Sequence, residues 1–209
     1  MKEIVKALLE INAIKLSHKE PFTWASGWKS PIYCDNRKTL SYPNVRQLLK
    51  DSFCGIIREK YPEAEVIAGV ATGAIAIGAL VADELGLPFI YVRSAPKGHG
   101  LENLIEGVIN SEEKVVIIED LISTGGSSLK ATEALRASGA EVLGMCAIFS
   151  YLFPISTKSF HTYDIELSVL SNYNELIELA LEKGIVKNED VDNLKKWREA
   201  PDKWGVQGV

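Results

Sequence analysis

The sequence predicts an α/β fold in which a central, mostly parallel sheet is flanked by helices, with a small hood at the N-terminus. Several short runs are apolar throughout, which is typical of strands buried on both faces of a parallel sheet. Two of these runs lead through a turn of small residues into a helical pattern, as in βα units. A segment rich in aromatic residues precedes the first run, and this segment is the predicted hood.

Bulk composition limits the function classes. The chain has 209 residues, 46% of them hydrophobic, and a net charge of −5, which argues against a protein that binds nucleic acid through bulk electrostatics. No apolar run approaches the roughly 20 residues of a membrane span, and the N-terminus lacks a signal-peptide pattern. The cysteines are odd in number and far apart, so we expect neither a disulfide framework nor a zinc site. These features predict one cytoplasmic domain.

The N-terminal region predicts a helix followed by a hairpin. Apolar residues repeat at helical spacing over residues 2–15. Within the aromatic segment, residues 23–24 and 32–33 have the pattern of short strands joined by a Ser-Gly turn. Composition alone favours a hairpin whose aromatic residues cover the core. The alternative is a lid whose rings and Lys29 face a flat, anionic heterocycle.

The core elements follow in order along the chain. The pattern predicts helices over 43–61, 75–84, 129–136 and 174–183, strands over 66–70, 88–92, 115–118, 141–149 and 165–170, and a last helix in the tail that carries Trp197 and Trp204. Gly139 is a plausible end for the third of these helices.

The stretch at 115–128 organises the rest of the chain. Its apolar residues are followed by Glu119 and Asp120. A turn rich in glycine and in hydroxyl side chains comes next, and then a helix. Ligands of open α/β sheets bind beyond the carboxyl ends of strands, against helix N-termini. The amides freed by the glycines and the hydroxyls of Thr124 and Ser127 suit a phosphate dianion. The carboxylates can accept hydrogen bonds from sugar hydroxyls, so the stretch predicts a site for ribose 5-phosphate.

A second unit of the same kind begins with the strand at 66–70. Ala71, Thr72 and Gly73 form a small-residue turn before an apolar helix, which suggests a second anion-binding turn beside the first. Alone this signal is weak, because small residues also occur where a helix packs closely on a sheet. Together the two turns suit a ligand with a phosphate at one end and a pyrophosphate at the other.

The residues between the third strand and the central strand indicate a mobile surface loop. Arg93, Lys97 and His99 lie there among glycines and a proline, with no apolar period. Exposed basic residues are common, and a lone histidine is more often structural. A basic loop between two anion-binding strands could also close over a polyphosphate, exclude water and neutralise the leaving charge.

Three motifs, in this order, resemble those of the orotate phosphoribosyltransferases, which are type I phosphoribosyltransferases. The segment at 22–31 matches that family's pattern Phe-Thr-x-x-Ser-Gly-x-Lys-Ser-Pro. The pattern Arg-x-x-x-Lys-x-His-Gly is matched by Arg93, Lys97, His99 and Gly100. The stretch at 119–127 is similar to the family's motif for phosphoribosyl pyrophosphate (PRPP), with Ser123 in place of the usual first threonine. The resemblance covers about residues 20–175.

The resemblance implies a type I phosphoribosyltransferase fold in one domain over residues 1–209, with a hood at 1–42, an α/β core at about 43–171 and C-terminal helices at 172–209. It implies transfer of the ribosyl 5-phosphate group of PRPP to N1 of orotate, which gives orotidine 5′-monophosphate and pyrophosphate in pyrimidine (UMP) synthesis. The implied cofactor is Mg²⁺, held mainly through PRPP and water with no direct protein ligand. A homodimer with shared active sites is also implied.

Residue roles are carried over from the matched motifs. The resemblance implies that PRPP contacts Glu119, Asp120, Leu121, Ile122, Ser123, Thr124, Gly125, Gly126, Ser127, Ala71, Thr72, Gly73, Arg93, Lys97 and His99. It implies catalytic roles for Arg93, Lys97 and His99, and contact with orotate for Ser123, Lys29 and Tyr33. In the family, the turn at 71–73 holds pyrophosphate and often includes a strained peptide bond.

Besides Ser123, three further features depart from the family pattern. Many relatives have a lysine where this chain has Ala25 and where it has Ser94, and some have an arginine after the fourth strand, where residues 150–154 contain none. We therefore expect base recognition to depend on Ser123, the hood and backbone groups.

Two alternatives stay open. The first is a phosphoribosyltransferase that acts on a purine or on uracil, although the aromatic hood disfavours it. The second is a non-catalytic regulator that senses PRPP, although the short N-terminal extension, the negative charge and the presence of Lys97 and His99 disfavour it.

Overall fold

The N-terminal part of the chain forms one helix and two small antiparallel sheets. The structure is a computed structural model that describes residues 2–17, 19–95 and 104–205. The elements in this part are α1 (Lys2–Glu10), β1 (Ile14–Leu16), β2 (Phe22–Thr23), β3 (Lys29–Ser30) and β4 (Ile32–Cys34). Strand β1 pairs with β4, and β2 pairs with β3.

Two expectations for this part are wrong. The helix predicted over residues 2–15 ends at Glu10, because the chain turns at Asn12 (φ +55°) and Ile14 then pairs with Cys34. The predicted hairpin is two separate pairings. The turn at Gly27 (φ +85°) closes β2 onto β3, whereas β4 turns away to pair with β1.

The rest of the chain alternates strands and helices. Its elements are α2 (Pro43–Lys60), β5 (Val66–Val70), α3 (Ile75–Leu85), β6 (Phe89–Val92), β7 (Ile105–Glu106), β8 (Lys114–Ile122), α4 (Gly126–Ala137), β9 (Glu141–Ser150), α5 (Pro154–Thr162), β10 (Leu167–Asn172), α6 (Tyr173–Glu182) and α7 (Val191–Glu199). Short 3₁₀ helices span Asn36–Ser41 and Asn188–Asp190. The main sheet has the order β10-β9-β8-β5-β6-β7, and every pair is parallel except β6 with β7. The predicted α/β fold is confirmed.

The apolar run of β8 has a structural cause, because both faces of the sheet are covered. Val116 and Ile118 belong to a core shared with α1, α2, α3, α6 and α7. Val115 and Ile117 belong to a second core shared with α4 and α5. All four side chains are fully buried, and each contributes about 1.5–3 kcal/mol relative to exposure. The order β9-β8-β5 then fixes β8 in the middle of the sheet, with its carboxyl end next to that of β5.

Most core elements lie within a few residues of their predicted positions. Strand β5 has the predicted bounds, and the tail helix is confirmed as α7. Helix α4 begins earlier than residue 129, and β10 is shifted towards the C-terminus. Helix α5 was not predicted, and β7 lies within the predicted loop after β6. Across the described ranges, no helix has the length and apolarity needed to cross a membrane.

Candidate active site

The acidic pair lies inside the central strand and not beyond it, because β8 continues to Ile122. Glu119 is only 4% exposed. Its Oε1 accepts a hydrogen bond from the backbone amide of Asp120 at 2.9 Å, and its Oε2 accepts one from Ser128 Oγ at 2.8 Å. Both oxygens of this carboxylate are therefore engaged within the protein.

The direction of the Glu119 side chain follows from the two-residue period of a strand. This period puts it on the same face as Val115 and Ile117, and that face is covered by α4, which carries Ser128. Burial and the nearby charge of Asp120 raise the pKa of the Glu119 carboxyl well above its usual value. Glu119 thus links β8 to α4, and its contact with a sugar hydroxyl stays a prediction.

Asp120 presents the more open carboxylate of the pair. Its side chain is half-buried and lies directly against Gly73, where an added Cβ would overlap the carboxylate. Gly73 belongs to the turn between β5 and α3. The acid therefore lies between the two turns that the sequence predicts as anion-binding.

The turn after β8 places a helix N-terminus beside the acidic pair. Gly125 has φ +86°, a left-handed conformation that residues with a side chain rarely adopt, and an added Cβ would lie 2.9 Å from the Phe160 ring. Gly125 is also the N-cap of α4. Because a glycine cap has no side chain, the first amides of α4 remain open to an anion. Thr124 is half-buried and Ser127 is exposed beside them.

The turn after β5 offers a second helix N-terminus. The Ala71–Thr72 peptide is cis, and the Ala71 amide donates a hydrogen bond to the carbonyl of Val92 at 2.8 Å. Helix α3 begins after Ala74, which provides no side-chain cap. Since β5 and β8 are parallel neighbours, the N-termini of α3 and α4 lie at the same edge of the sheet.

Arg93 follows β6 and lies next to the turn at 71–74, because Val92 contacts Ala71. Its Nη1 lies 3.4 Å from Glu106 Oε1 on β7, and its amide donates to the carbonyl of Leu104 at 2.8 Å. Lys97 and His99 lie outside the described residues.

A cavity of about 360 Å³ opens beside the end of β8. Its lining comes from the hood, from β8 and from the residue after β9, and consists of Thr23, Trp24, Ala25, Tyr33, Cys34, Leu121, Ser123 and Tyr151. None of these lining residues in the described part of the chain is charged. Of the residues predicted to bind orotate, Ser123 and Tyr33 line the cavity. Lys29 reaches it indirectly, since its Nζ donates to Thr23 Oγ1 at 2.7 Å.

The hood aromatics serve both predicted roles. Trp24 packs on Tyr151 at 5.1 Å between ring centroids and on Trp197 of α7 at 6.0 Å, so it covers the core, and it also lines the cavity. Tyr33 is 38% exposed and lines the cavity. Tyr151 was not among the predicted lining residues, because the residue expected to contact the base after β9 is a cation. An aromatic residue directly after a buried strand is the signal that the sequence does carry.

Metal-ligating side chains do not cluster in the ranges 2–17, 19–95 and 104–205, where no group of three or more histidine, cysteine or acidic side chains could hold an ion. The three cysteines are free thiols.

Comparison with known proteins gives the class first. A family described as the phosphoribosyl transferase domain matches residues 40–181. With the parallel sheet, the paired helix N-termini and the acidic strand between them, this match defines a phosphoribosyltransferase.

Close relatives narrow the class. The orotate phosphoribosyltransferase of Porphyromonas gingivalis is 57% identical over 205 residues, which cover 98% of each chain. That of Streptococcus pneumoniae serotype 4 is 52% identical over 203 residues, which cover 97% of each chain. The chain therefore belongs to the orotate phosphoribosyltransferase family, and the resemblance seen in its motifs is confirmed.

Solved structures agree on the fold. The orotate phosphoribosyltransferase of Aeropyrum pernix superposes with a TM-score of 0.77 at 24% identity, covering 88% of this chain and 99% of that one. The UMP synthase of Leishmania donovani also gives a TM-score of 0.77 at 25% identity, covering 94% of this chain. The chain spans 42% of that longer protein.

Proposed function

We propose that the protein transfers the ribosyl 5-phosphate group of PRPP to N1 of orotate, releasing pyrophosphate and forming orotidine 5′-monophosphate for UMP synthesis. The observation that carries the proposal is the adjacency of three features: two uncapped helix N-termini, a half-buried carboxylate between them, and a hooded cavity beside Ser123. The relatives named orotate phosphoribosyltransferase support the choice of acceptor.

The turn at 123–127 would bind the 5′-phosphate through the amides of Gly125 and Gly126 and the hydroxyls of Thr124 and Ser127. Asp120 would orient the ribose hydroxyls. Glu119 would keep β8 and α4 together through its hydrogen bond with Ser128. A direct contact with the ribose would require this hydrogen bond to break. Leu121 and Ile122 would contribute backbone atoms next to the sugar.

The turn at 71–73 would hold the pyrophosphate end of PRPP. Arg93 lies beside this turn, and the loop that carries Lys97 and His99 follows it in the chain. As pyrophosphate leaves, negative charge grows on it and positive charge grows on the ribose ring, so cations on one side and the Asp120 carboxylate on the other would both stabilise the transition state. His99 can donate a proton near neutral pH.

The cavity would hold the base. Ser123 and Tyr33 offer hydroxyls, and the apolar walls suit a flat ring. None of the described lining side chains is charged. The orotate carboxylate would therefore contact Thr23 of the hood, whose hydroxyl accepts a hydrogen bond from Lys29 Nζ. This arrangement would favour orotate over uracil, which lacks the carboxylate.

Mg²⁺ fits this site. The ion would be held mainly through PRPP oxygens and water, because it prefers oxygen ligands and keeps several waters. The Asp120 carboxylate lies nearby, against the turn at 71–73. When bound, the ion would neutralise part of the pyrophosphate charge. The protein residues would act mainly on the phosphates, the sugar and the base.

The decisive assay follows the loss of orotate absorbance on addition of PRPP, with and without Mg²⁺, and repeats it with uracil and hypoxanthine. In the presence of PRPP, we expect turnover only when the base is orotate and Mg²⁺ is present. Binding of PRPP without consumption of orotate would favour the regulator, and preferential use of another base would replace the acceptor.

We further propose a homodimer in which the loop carrying Lys97 serves the neighbouring subunit. Lys97→Ala and Asp120→Asn proteins should each be inactive, and mixing them should restore activity at sites that combine one intact half from each. If mixing restores no activity, the shared-site proposal is wrong.

The cytoplasmic location stays a prediction.

A further inference from the structure

One buried amide joins the hood to the central strand. Asn36 is 2% exposed, and its Nδ2 donates a hydrogen bond to the backbone carbonyl of Asp120 at 2.5 Å. The two residues are 84 positions apart in the chain. This contact reaches the strand at the residue whose carboxylate lies between the two anion-binding turns.

Both ends of the Asn36 amide are occupied, which fixes its orientation. Its Oδ1 accepts a hydrogen bond from Cys34 Sγ at 3.3 Å while its Nδ2 faces the Asp120 carbonyl. The backbone carbonyl of Asn36 accepts a hydrogen bond from Thr39 Oγ1 at 2.6 Å, and Thr39 is also buried. An asparagine suits this place because it offers one donor and one acceptor, whereas an aspartate would place an oxygen against the carbonyl.

The strand has fewer neighbours where Asn36 meets it. Strand β5 is in register with β8 only as far as the pair Gly69 with Ile118, after which the chain enters the turn at 71–74. Asp120 lies beyond that last pair. The Asn36 amide therefore holds the Asp120 peptide group at a point where the pairing with β5 has ended.

We propose that Asn36 is a positioning residue for Asp120, an inference that rests on the proposed binding of PRPP. The peptide plane of Asp120 sets the direction of its Cα–Cβ bond, and the carboxylate has little room because Gly73 lies against it. A small rotation of that plane would turn the carboxylate away from the sugar hydroxyls. Cys34 lines the base cavity and orients Asn36, so the same amide links the base cavity to the sugar site.

A purely structural role for Asn36 makes a different prediction. A structural residue would change stability, and any loss of ligand affinity would be the same whether or not Asp120 has a carboxylate. A positioning residue acts through that carboxylate, so its effect should disappear when the carboxylate is removed. A double-mutant cycle separates these cases.

The experiment measures PRPP affinity by calorimetry, in the presence of Mg²⁺, for wild type, Asn36→Ala, Asp120→Ala and the double variant. We expect Asn36→Ala to weaken PRPP binding about tenfold or more, because the Asp120 peptide group is then no longer held in place by the buried amide. In the Asp120→Ala background the same change should have an effect of less than about twofold. An equal loss of affinity in both backgrounds would overturn the proposal.

Two further variants guard against misfolding. Asn36→Asp keeps the size of the side chain and the acceptor for Cys34 but loses the donor, so it should weaken PRPP binding as Asn36→Ala does. Thr39→Val is the matched control in the same buried cluster: it should lower the thermal midpoint and leave PRPP affinity nearly unchanged. A Thr39→Val protein that loses as much affinity as Asn36→Ala would also contradict the proposal. Because the readout is PRPP binding, a failure to use orotate would count against the proposed acceptor and not against this inference.

Discussion

The strand–turn–helix units at 66–85 and at 114–137 share one plan and differ in where their chemistry lies. Each has a strand buried in the sheet, a turn of small residues and a helix without a side-chain N-cap. The first unit offers mainly backbone groups at 71–74. The second adds two carboxylates before its turn and hydroxyls within it. The side chains with predicted roles are thus concentrated in the second unit.

The contact between the units explains this division. The Asp120 carboxylate of the second unit occupies the space that a side chain on Gly73 of the first would need. Residue 73 must therefore lack a side chain where the Asp120 carboxylate lies against it. The two units are therefore in direct contact, and a change in one restricts the other.

The largest expected effect lies in the second turn. Gly125→Ala places a side chain at φ +86° and brings its Cβ to 2.9 Å from Phe160. The left-handed conformation alone costs about 1–2 kcal/mol, so we expect a clear drop in the free energy of unfolding together with loss of PRPP binding. Urea denaturation measures the first effect and calorimetry the second.

Gly126→Ala is the matched control for stability, because its nearest neighbour, Thr124 Oγ1, lies 4.0 Å from the added Cβ. It should unfold at nearly the same urea concentration as wild type. Equal destabilisation by both alanines would show that the conformation at Gly125 is not the cause.

A smaller effect on stability but a clear one on binding is expected in the first turn. Gly73→Ala forces the Asp120 carboxylate to rotate, which a side chain can do at a cost of less than about 1.5 kcal/mol. PRPP affinity should nevertheless fall about tenfold, because the displaced acid no longer meets the sugar.

Gly55→Ala in α2, with open space around the added Cβ, is the corresponding control. It should raise stability by about 0.5–1 kcal/mol through helix propensity and leave PRPP affinity unchanged. If Gly73→Ala binds PRPP as wild type does, the two turns are less closely coupled than their contact indicates.

Glu119 and Asp120 differ in burial, and pH should reveal this difference. Because burial raises the folded-state pKa of Glu119 above its ordinary value of 4.5, the folded protein keeps this proton when the unfolded chain has lost it. Stability contributed by this group is therefore present below about pH 4.5 and is lost as pH rises towards the folded-state pKa.

Glu119→Gln removes this titration, because glutamine does not ionise. It keeps the contacts, because its amide can still accept a hydrogen bond from the Asp120 amide and donate one to Ser128. As pH rises across that range, the thermal midpoint should fall less steeply for the variant than for wild type. Parallel curves would show that Glu119 does not titrate differently in the two states.

The smallest expected effect concerns the cation beside the first turn. Arg93 and Glu106 are about one-third exposed, and their closest atoms are 3.4 Å apart. Arg93→Gln should lower the free energy of unfolding by less than about 1 kcal/mol, whereas pyrophosphate binding should weaken measurably. Glu106→Gln is the control, because it removes the same ion pair and keeps the cation. Equal effects of both variants on pyrophosphate binding would exclude a direct role for Arg93.

The core could be predicted because its signals are local. The apolar runs of β5 and β8 follow from burial on both faces, and Gly125 follows from a turn that only glycine fits easily. The strand pairing within the hood could not be predicted, because strands of two or three residues have no period and their partners are set by distant contacts. Ile32–Cys34 pairs with β1 for this reason.

Side-chain direction limited the prediction of the site. The acids were expected beyond the strand, and only their place within β8 directs Glu119 towards α4. The contact of Asn36 with Asp120 links residues far apart in the chain and leaves no pattern in the sequence. Helix α5 was missed because its segment begins with Pro154 and has few apolar residues, of which Ile155 is exposed.

The packing of Trp24 on Tyr151 and on Trp197 has a consequence for the nascent chain. Tyr151 forms part of the cavity wall, and Trp197 of the last helix packs against it with ring centroids 5.5 Å apart. A ribosome adds Trp197 long after the turns at 71–74 and 123–127. A growing chain would therefore contain the turns at 71–74 and 123–127 well before the cavity gains Trp197 behind Tyr151.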